Sequence, residues 1–98
     1  MKRQEILDRL AVHRDELRSS GVKSVALFGS AARDEATESS DVDLLVEFDR
    51  PTGLLALIRL KHRLEEMLQI DSVDLLTRDG LHPALKDRIL AEAIDVVV

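Results

Sequence analysis

The sequence predicts an α+β (α/β) fold: a mixed β-sheet of about three to four strands flanked by about four helices. Two observations lead there. Hydrophobic spacing switches repeatedly between helical periodicity and short, continuous apolar runs, and Gly or Pro falls at several of the switches. The chain has 98 residues, 45% of them hydrophobic and 34% charged, which suits one small globular domain over residues 1–98. No internal repeat, low-complexity tract or interdomain linker interrupts the pattern.

From Lys2 to about Ser19, Ile6, Leu7, Leu10, Ala11 and Leu17 recur at helical spacing, and Gly21 stands where a helix stop is expected. Val22 to Phe28 is a dense apolar run ending at Gly29, the pattern of a buried strand. Ser30 to Ala36 suits a short helix, and Thr37 to Ser40 a polar loop. A second strand is expected from Asp41 to Phe48, followed by a turn through Asp49, Arg50, Pro51 and Gly53. Thr52 is the expected N-cap of a helix from Leu54 to Leu68, with Leu54, Leu57, Ile58, Leu64, Met67 and Leu68 on its apolar side. Asp71 to Leu76 reads as a third strand, Ala84 to Ala93 as a helix, and Ile94 to Val98 as a last strand.

Composition excludes several functions. Aromatic residues are 2% of the chain, so a stacking platform for bases has almost nothing to be built from. The net charge of −5 opposes stable non-specific nucleic-acid binding, which needs a basic surface. The absence of cysteine removes disulfides and thiolate metal sites. No apolar run resembles a signal peptide or a membrane span, so the expected location is cytoplasmic, with no membrane partner. His13, His62 and His82 form no coherent ligand set. Glu47, at the end of the second strand, could lie near a site there, but a solvated face is the simpler reading for it, as for Glu65 and Glu66.

Three features carry chemistry when taken together. Gly29-Ser30 lies between a buried strand and a helix; Asp41-Val42-Asp43 opens the next strand; Asp74 lies in a later one. Alternation on a strand puts Asp41 and Asp43 on one face, about 7 Å apart, and a neighbouring strand about 4.8 Å away brings Asp74 within reach. Crowded carboxylates oppose folding unless cations neutralise them, and hard oxygen ligands suit Mg²⁺ (two ions), with Mn²⁺ as the alternative. A metal pair is a common device for displacement at phosphorus. Glycine lets a backbone approach phosphate, the serine hydroxyl can donate, and Arg33 offers a planar fork of donors. Each feature alone has a plain explanation: an exposed edge, a turn, a surface acid, an ion pair between Arg33 and a nearby carboxylate. Gly-Ser followed at this spacing by Asp-x-Asp arises by chance in about one chain in a thousand of this length.

At these residues the chain resembles the DNA-polymerase-β-type nucleotidyltransferase superfamily: Gly29-Ser30, ten intervening residues, then Asp41-Val42-Asp43. The strings Leu27-Phe28-Gly29-Ser30-Ala31-Ala32-Arg33 and Ser40-Asp41-Val42-Asp43-Leu44-Leu45-Val46-Glu47-Phe48 resemble its smallest branch, the MNT-type minimal nucleotidyltransferases of bacteria and archaea. The resemblance runs from the strand at Val22 to the Leu81-His82-Pro83 helix. It implies the nucleotidyltransferase fold, with Asp41, Asp43 and Asp74 as metal-binding, catalytic carboxylates. It also implies that Gly29 and Ser30 bind the phosphates of ATP. One departure is visible: where the family usually has glycine after the motif arginine, this chain has Asp34.

Members of this branch accompany HEPN-type proteins in toxin–antitoxin pairs, so the resemblance implies an antitoxin that moves AMP onto a tyrosine hydroxyl of a HEPN RNase toxin. The chain carries little beyond the catalytic sheet, so the acceptor site is expected from that partner or from a second copy. Two alternatives stand beside this reading: a catalytically idle module that blocks its partner by contact, and a transferase acting on a small-molecule hydroxyl.

Overall fold

The computed structural model describes residues 2–35 and 41–96. In chain order these are α1 (Arg3–Val12), α2 (Arg14–Ser19), β1 (Val22–Phe28), α3 (Gly29–Ala32), β2 (Val42–Phe48), α4 (Leu54–Leu68), β3 (Val73–Thr77), α5 (Pro83–Glu92) and β4 (Ile94–Val96). The strands form one mixed sheet in the order β3-β2-β1-β4. β1 runs antiparallel to both β2 and β4, whereas β2 and β3 are parallel and joined by α4. A parallel pair needs such a crossover, because a tight turn cannot return the chain to the same end of the sheet.

Alternation along the strands divides the apolar side chains between two faces. Val25, Leu27, Leu44, Val46, Val73 and Leu75 point into the larger core, where Ile6, Leu10, Leu17, Leu64 and Leu68 close it from α1, α2 and α4. Ala26, Phe28 and Leu45 point to the other face, against Ile89, Leu90 and Ala93 at the end of α5. Asp43 alternates with Leu44 and Asp74 with Leu75, so both belong to the face that α5 partly covers. The sheet thereby separates the larger apolar core from the face that carries Asp43 and Asp74.

Several sequence expectations shift on contact with the structure. The predicted first helix is two, broken at His13, whose N–H reaches back only three residues to the Leu10 carbonyl. Gly21 follows α2 with φ +86°, the left-handed stop the sequence signalled. The short helix expected from Ser30 to Ala36 is the single turn α3; Ala36 and the predicted loop Thr37–Ser40 lie outside the described residues. β2 begins at Val42 rather than Asp41, and β3 spans Val73–Thr77 rather than residues 71–76. α5 starts at Pro83, with the His82 imidazole capping it by accepting from the Ala84 N–H at 3.1 Å. The predicted extension of the last strand through Val97 and Val98 lies outside the described residues.

α4 keeps its expected bounds but not its expected start. Its N-cap is Gly53; Thr52 instead turns its hydroxyl to the Arg50 carbonyl, 3.0 Å away. Leu54 and Leu55 are each 71% exposed and Ile58 is also exposed, while Leu60, Leu64, Met67 and Leu68 are buried. Only the C-terminal half of the helix lies on the sheet.

Glu65 corrects another expectation. Its side chain is only 13% exposed, and one oxygen accepts both the Val73 N–H at 2.9 Å and Lys61 Nζ at 3.0 Å. It satisfies the first N–H of β3 and so fixes the strand that carries Asp74. The Val73 N–H, and then Lys61, hold this carboxyl below the usual glutamate range. A lowered folded value contributes stability above the ordinary glutamate pKa, and that stability is lost as pH falls through the folded value. Glu65→Gln should therefore lose about 1 kcal/mol at neutral pH and unfold with a shallower acid dependence below about pH 4.5 than the wild type. Equal acid slopes in thermal melts of the two proteins would contradict this assignment.

Candidate functional site

The site forms where β1 ends and β2 and β3 begin. In the ladders Asp43 stands opposite Phe28, the last residue of β1, and directly beside Asp74 of β3. One residue past Phe28 the chain turns sharply at Gly29, with φ +71°. A Cβ on Gly29 would collide with Asp43 Oδ2. Glycine is required here twice over, by the backbone conformation and by the approach of the acid. The turn at Gly29 thus stands directly against the Asp43 carboxylate.

The two carboxylates differ in setting. Asp43 lies in an inner strand and is half-buried; Asp74 lies on the edge strand and is exposed. Burial, followed by the charges of Asp74 and Asp41 and a hydrogen bond with Asp74, pushes the Asp43 carboxyl above the usual aspartate range, and Arg33 pulls it the other way. A desolvated acid beside a like charge is in conflict, and an added cation would resolve it. Asp41 sits one residue before β2 and is exposed, so strand alternation does not fix it on the face of Asp43. Among the described residues no three His, Asp or Glu side chains are gathered as a ready ligand set. The preformed unit is the pair Asp43 and Asp74, with Asp41 acting on it through charge.

α3 ends after one turn because Asp34 takes φ +59°. That left-handed conformation is the one glycine ordinarily supplies at a helix end, and aspartate tolerates it better than most residues. Asp34 also gains a tertiary bond, its Oδ1 accepting the Arg3 N–H at 3.0 Å. The departure from the family pattern at this position therefore preserves the turn. It leaves Arg33 half-exposed, with Nε donating to Glu35 Oε2 at 3.1 Å and Nη1 to Glu92 Oε2 at 3.0 Å.

Glu92 escaped the sequence reading. The same carboxylate that holds Arg33 also accepts the Gly29 N–H, at 3.3 Å through Oε1. A local signal existed: Glu92 is the last residue of α5, whose final turn has no basic residue, and an acid at a helix C-terminus opposes the macrodipole unless a cation lies nearby. The pairing itself spans 63 residues of sequence. Glu47, by contrast, lies beyond Leu45 along β2 and pairs with Lys23 at 3.2 Å, away from the acid pair.

The chain matches the nucleotidyltransferase domain model over residues 10–96. A candidate protein adenylyltransferase of Methanocaldococcus jannaschii is 56% identical over 77 residues, covering 79% of this chain and 82% of the relative. A solved structure described as a candidate minimal nucleotidyltransferase has a TM-score of 0.83 at 39% identity, over 96% of this chain and 95% of the other. A chain from the complex of tri-AMPylated Shewanella oneidensis HEPN toxin with MNT antitoxin shares the fold, with a TM-score of 0.69 at 18% identity, over 97% of this chain and 71% of that one. With its acid pair beside a Gly-Ser turn, and on the extent of these matches, the chain belongs to the nucleotidyltransferase domain family.

Proposed function

We propose that this nucleotidyltransferase moves AMP from ATP to a hydroxyl, a tyrosine of a HEPN-type RNase toxin, and acts as that toxin's antitoxin. The observation that carries the reading is the register pairing of Asp43 with Asp74 beside the close-packed Gly29-Ser30 turn. The AMP-bearing HEPN toxin in the neighbouring complex supports the choice of group and partner.

The residues divide the work by position. Gly29 and Ser30 bring backbone and hydroxyl to the phosphates, and Arg33 adds positive charge beside them. Asp74, exposed on the edge strand, faces an incoming acceptor and takes its hydroxyl proton as the oxygen attacks the α-phosphorus. The bond from that phosphorus to the bridging oxygen breaks, and pyrophosphate leaves with the bonding pair. Asp43 and Asp74, joined by Asp41, would hold Mg²⁺, or Mn²⁺ in its place; the crowding of oxygen donors around a desolvated Asp43 fits a hard cation. Such an ion supplies Lewis-acid stabilisation of charge on the phosphates.

The test is transfer of label from α-³²P-ATP to a co-expressed HEPN partner. Labelling that needs Mg²⁺ or Mn²⁺ and stops with a chelator is the expected result. Tight binding of the partner without labelling by any nucleoside triphosphate would leave a contact inhibitor instead. Labelling of a small-molecule hydroxyl, with the protein partner untouched, would replace the acceptor.

A further inference from the structure

Glu92 touches two elements of the proposed nucleotide site at once. Oε1 accepts the N–H of Gly29, the residue whose left-handed turn brings the backbone against Asp43, and Oε2 accepts Nη1 of Arg33. These two partners bracket α3, so one carboxylate holds both ends of the single helical turn. The carboxylate comes from the last residue of α5, which is anchored to the same sheet face by Ile89, Leu90 and Ala93. α3 is too short to be rigid by itself, since one turn fixes several dihedrals for few hydrogen bonds. The turn also stands close against the acid pair, because the space where a Cβ of residue 29 would stand already holds the Asp43 carboxylate.

From this geometry we infer that Glu92 is a positioning residue for nucleotide, clamping the Gly29–Arg33 turn to α5 so that its donors stand in register with the Asp43–Asp74 pair. The assignment rests on the transferase reading above. It differs from a purely structural role in what it predicts. Glu92 is 29% exposed and outside both apolar cores, so its removal loosens the turn rather than the fold. The opposite role is also physically definite: a carboxylate on these donors could compete with phosphate, and its removal would then tighten ATP binding.

The experiment compares wild type, Glu92→Ala and Glu92→Gln in ATP-dependent labelling of the co-expressed partner, with the Gly29 amide followed by ¹H–¹⁵N NMR in parallel. Glu92→Ala should raise the KM for ATP about tenfold while kcat changes by less than about threefold, the loss of roughly one charge-assisted hydrogen bond. Glutamine keeps one carbonyl acceptor for the turn and should recover most of the KM. The Gly29 amide should shift and exchange faster in the alanine variant, with thermal stability close to wild type. A lower KM in Glu92→Ala, an unchanged KM, or an undisturbed Gly29 amide would each overturn the assignment. A wild type that neither binds nor transfers nucleotide would instead sink the transferase reading.

Discussion

Asp43→Asn should abolish transfer, by about a thousandfold or more, while leaving the protein as stable as wild type or a few degrees more so. The two effects come from one cause. The Asp43 carboxylate is half-buried beside Asp74, and its burial and that neighbour both disfavour its charge. Asparagine keeps the shape, removes the repulsion and can donate an amide hydrogen to Asp74. The site therefore gains in folding what it loses in chemistry, the usual signature of groups kept for function against stability. Activity is read from label transfer, and stability from thermal melts in a chelator so that no bound ion contributes. A melting temperature well below wild type would mean that Asp43 is a structural acid and that the conflict described here is absent.

Gly29→Ala should have the largest effect on the fold itself. The backbone at φ +71° costs an L-residue about 1–2 kcal/mol, and the new methyl must also displace the Asp43 carboxylate, which occupies the place where it would stand. Together these amount to about 2 kcal/mol, or a melting temperature lower by about 10 °C in a domain of this size. Transfer should be lost as well, because the displaced carboxylate no longer stands beside Asp74. The two contributions separate in a double-mutant cycle. With Asp43→Ala in the background the collision is gone and only the backbone cost remains, so Gly29→Ala should be less destabilising by about 1 kcal/mol. An identical penalty in both backgrounds would show that the close approach carries no energy.

The placement of the candidate site was legible in the sequence because its motif is local. Gly29-Ser30 and Asp43 are fixed by their spacing within neighbouring strands, and Asp74 by the alternation of a strand that pairs in register. The order and type of the elements could be read for the same reason, apart from the break at His13 that divides the first helix in two, since hydrophobic period and Gly or Pro breaks are short-range signals. What the sequence hid depends on distant partners. Glu65 looked like a solvated helix face until β3 brought the Val73 N–H to it. Glu92 drew no notice in the sequence, because only the folded sheet places α5 beside Gly29. Leu54 and Ile58 have the right spacing for a buried stripe, yet they are exposed because periodicity marks an apolar face without saying what lies beneath it. Asp34 is the reverse case: a departure in sequence that conserves the conformation.

In the proposed function the Asp43–Asp74 pair and the Gly29-Ser30 turn form one metal-nucleotide site. The most direct measurement is a titration of the ¹⁵N-labelled protein with Mn²⁺ and ATP, following paramagnetic broadening of assigned amides. Broadening concentrated at Gly29, Ser30, Asp41, Asp43 and Asp74, strengthened by ATP and absent from Asp43→Asn, is the result this account predicts. Broadening centred elsewhere, or equal in the wild type and Asp43→Asn, would contradict it.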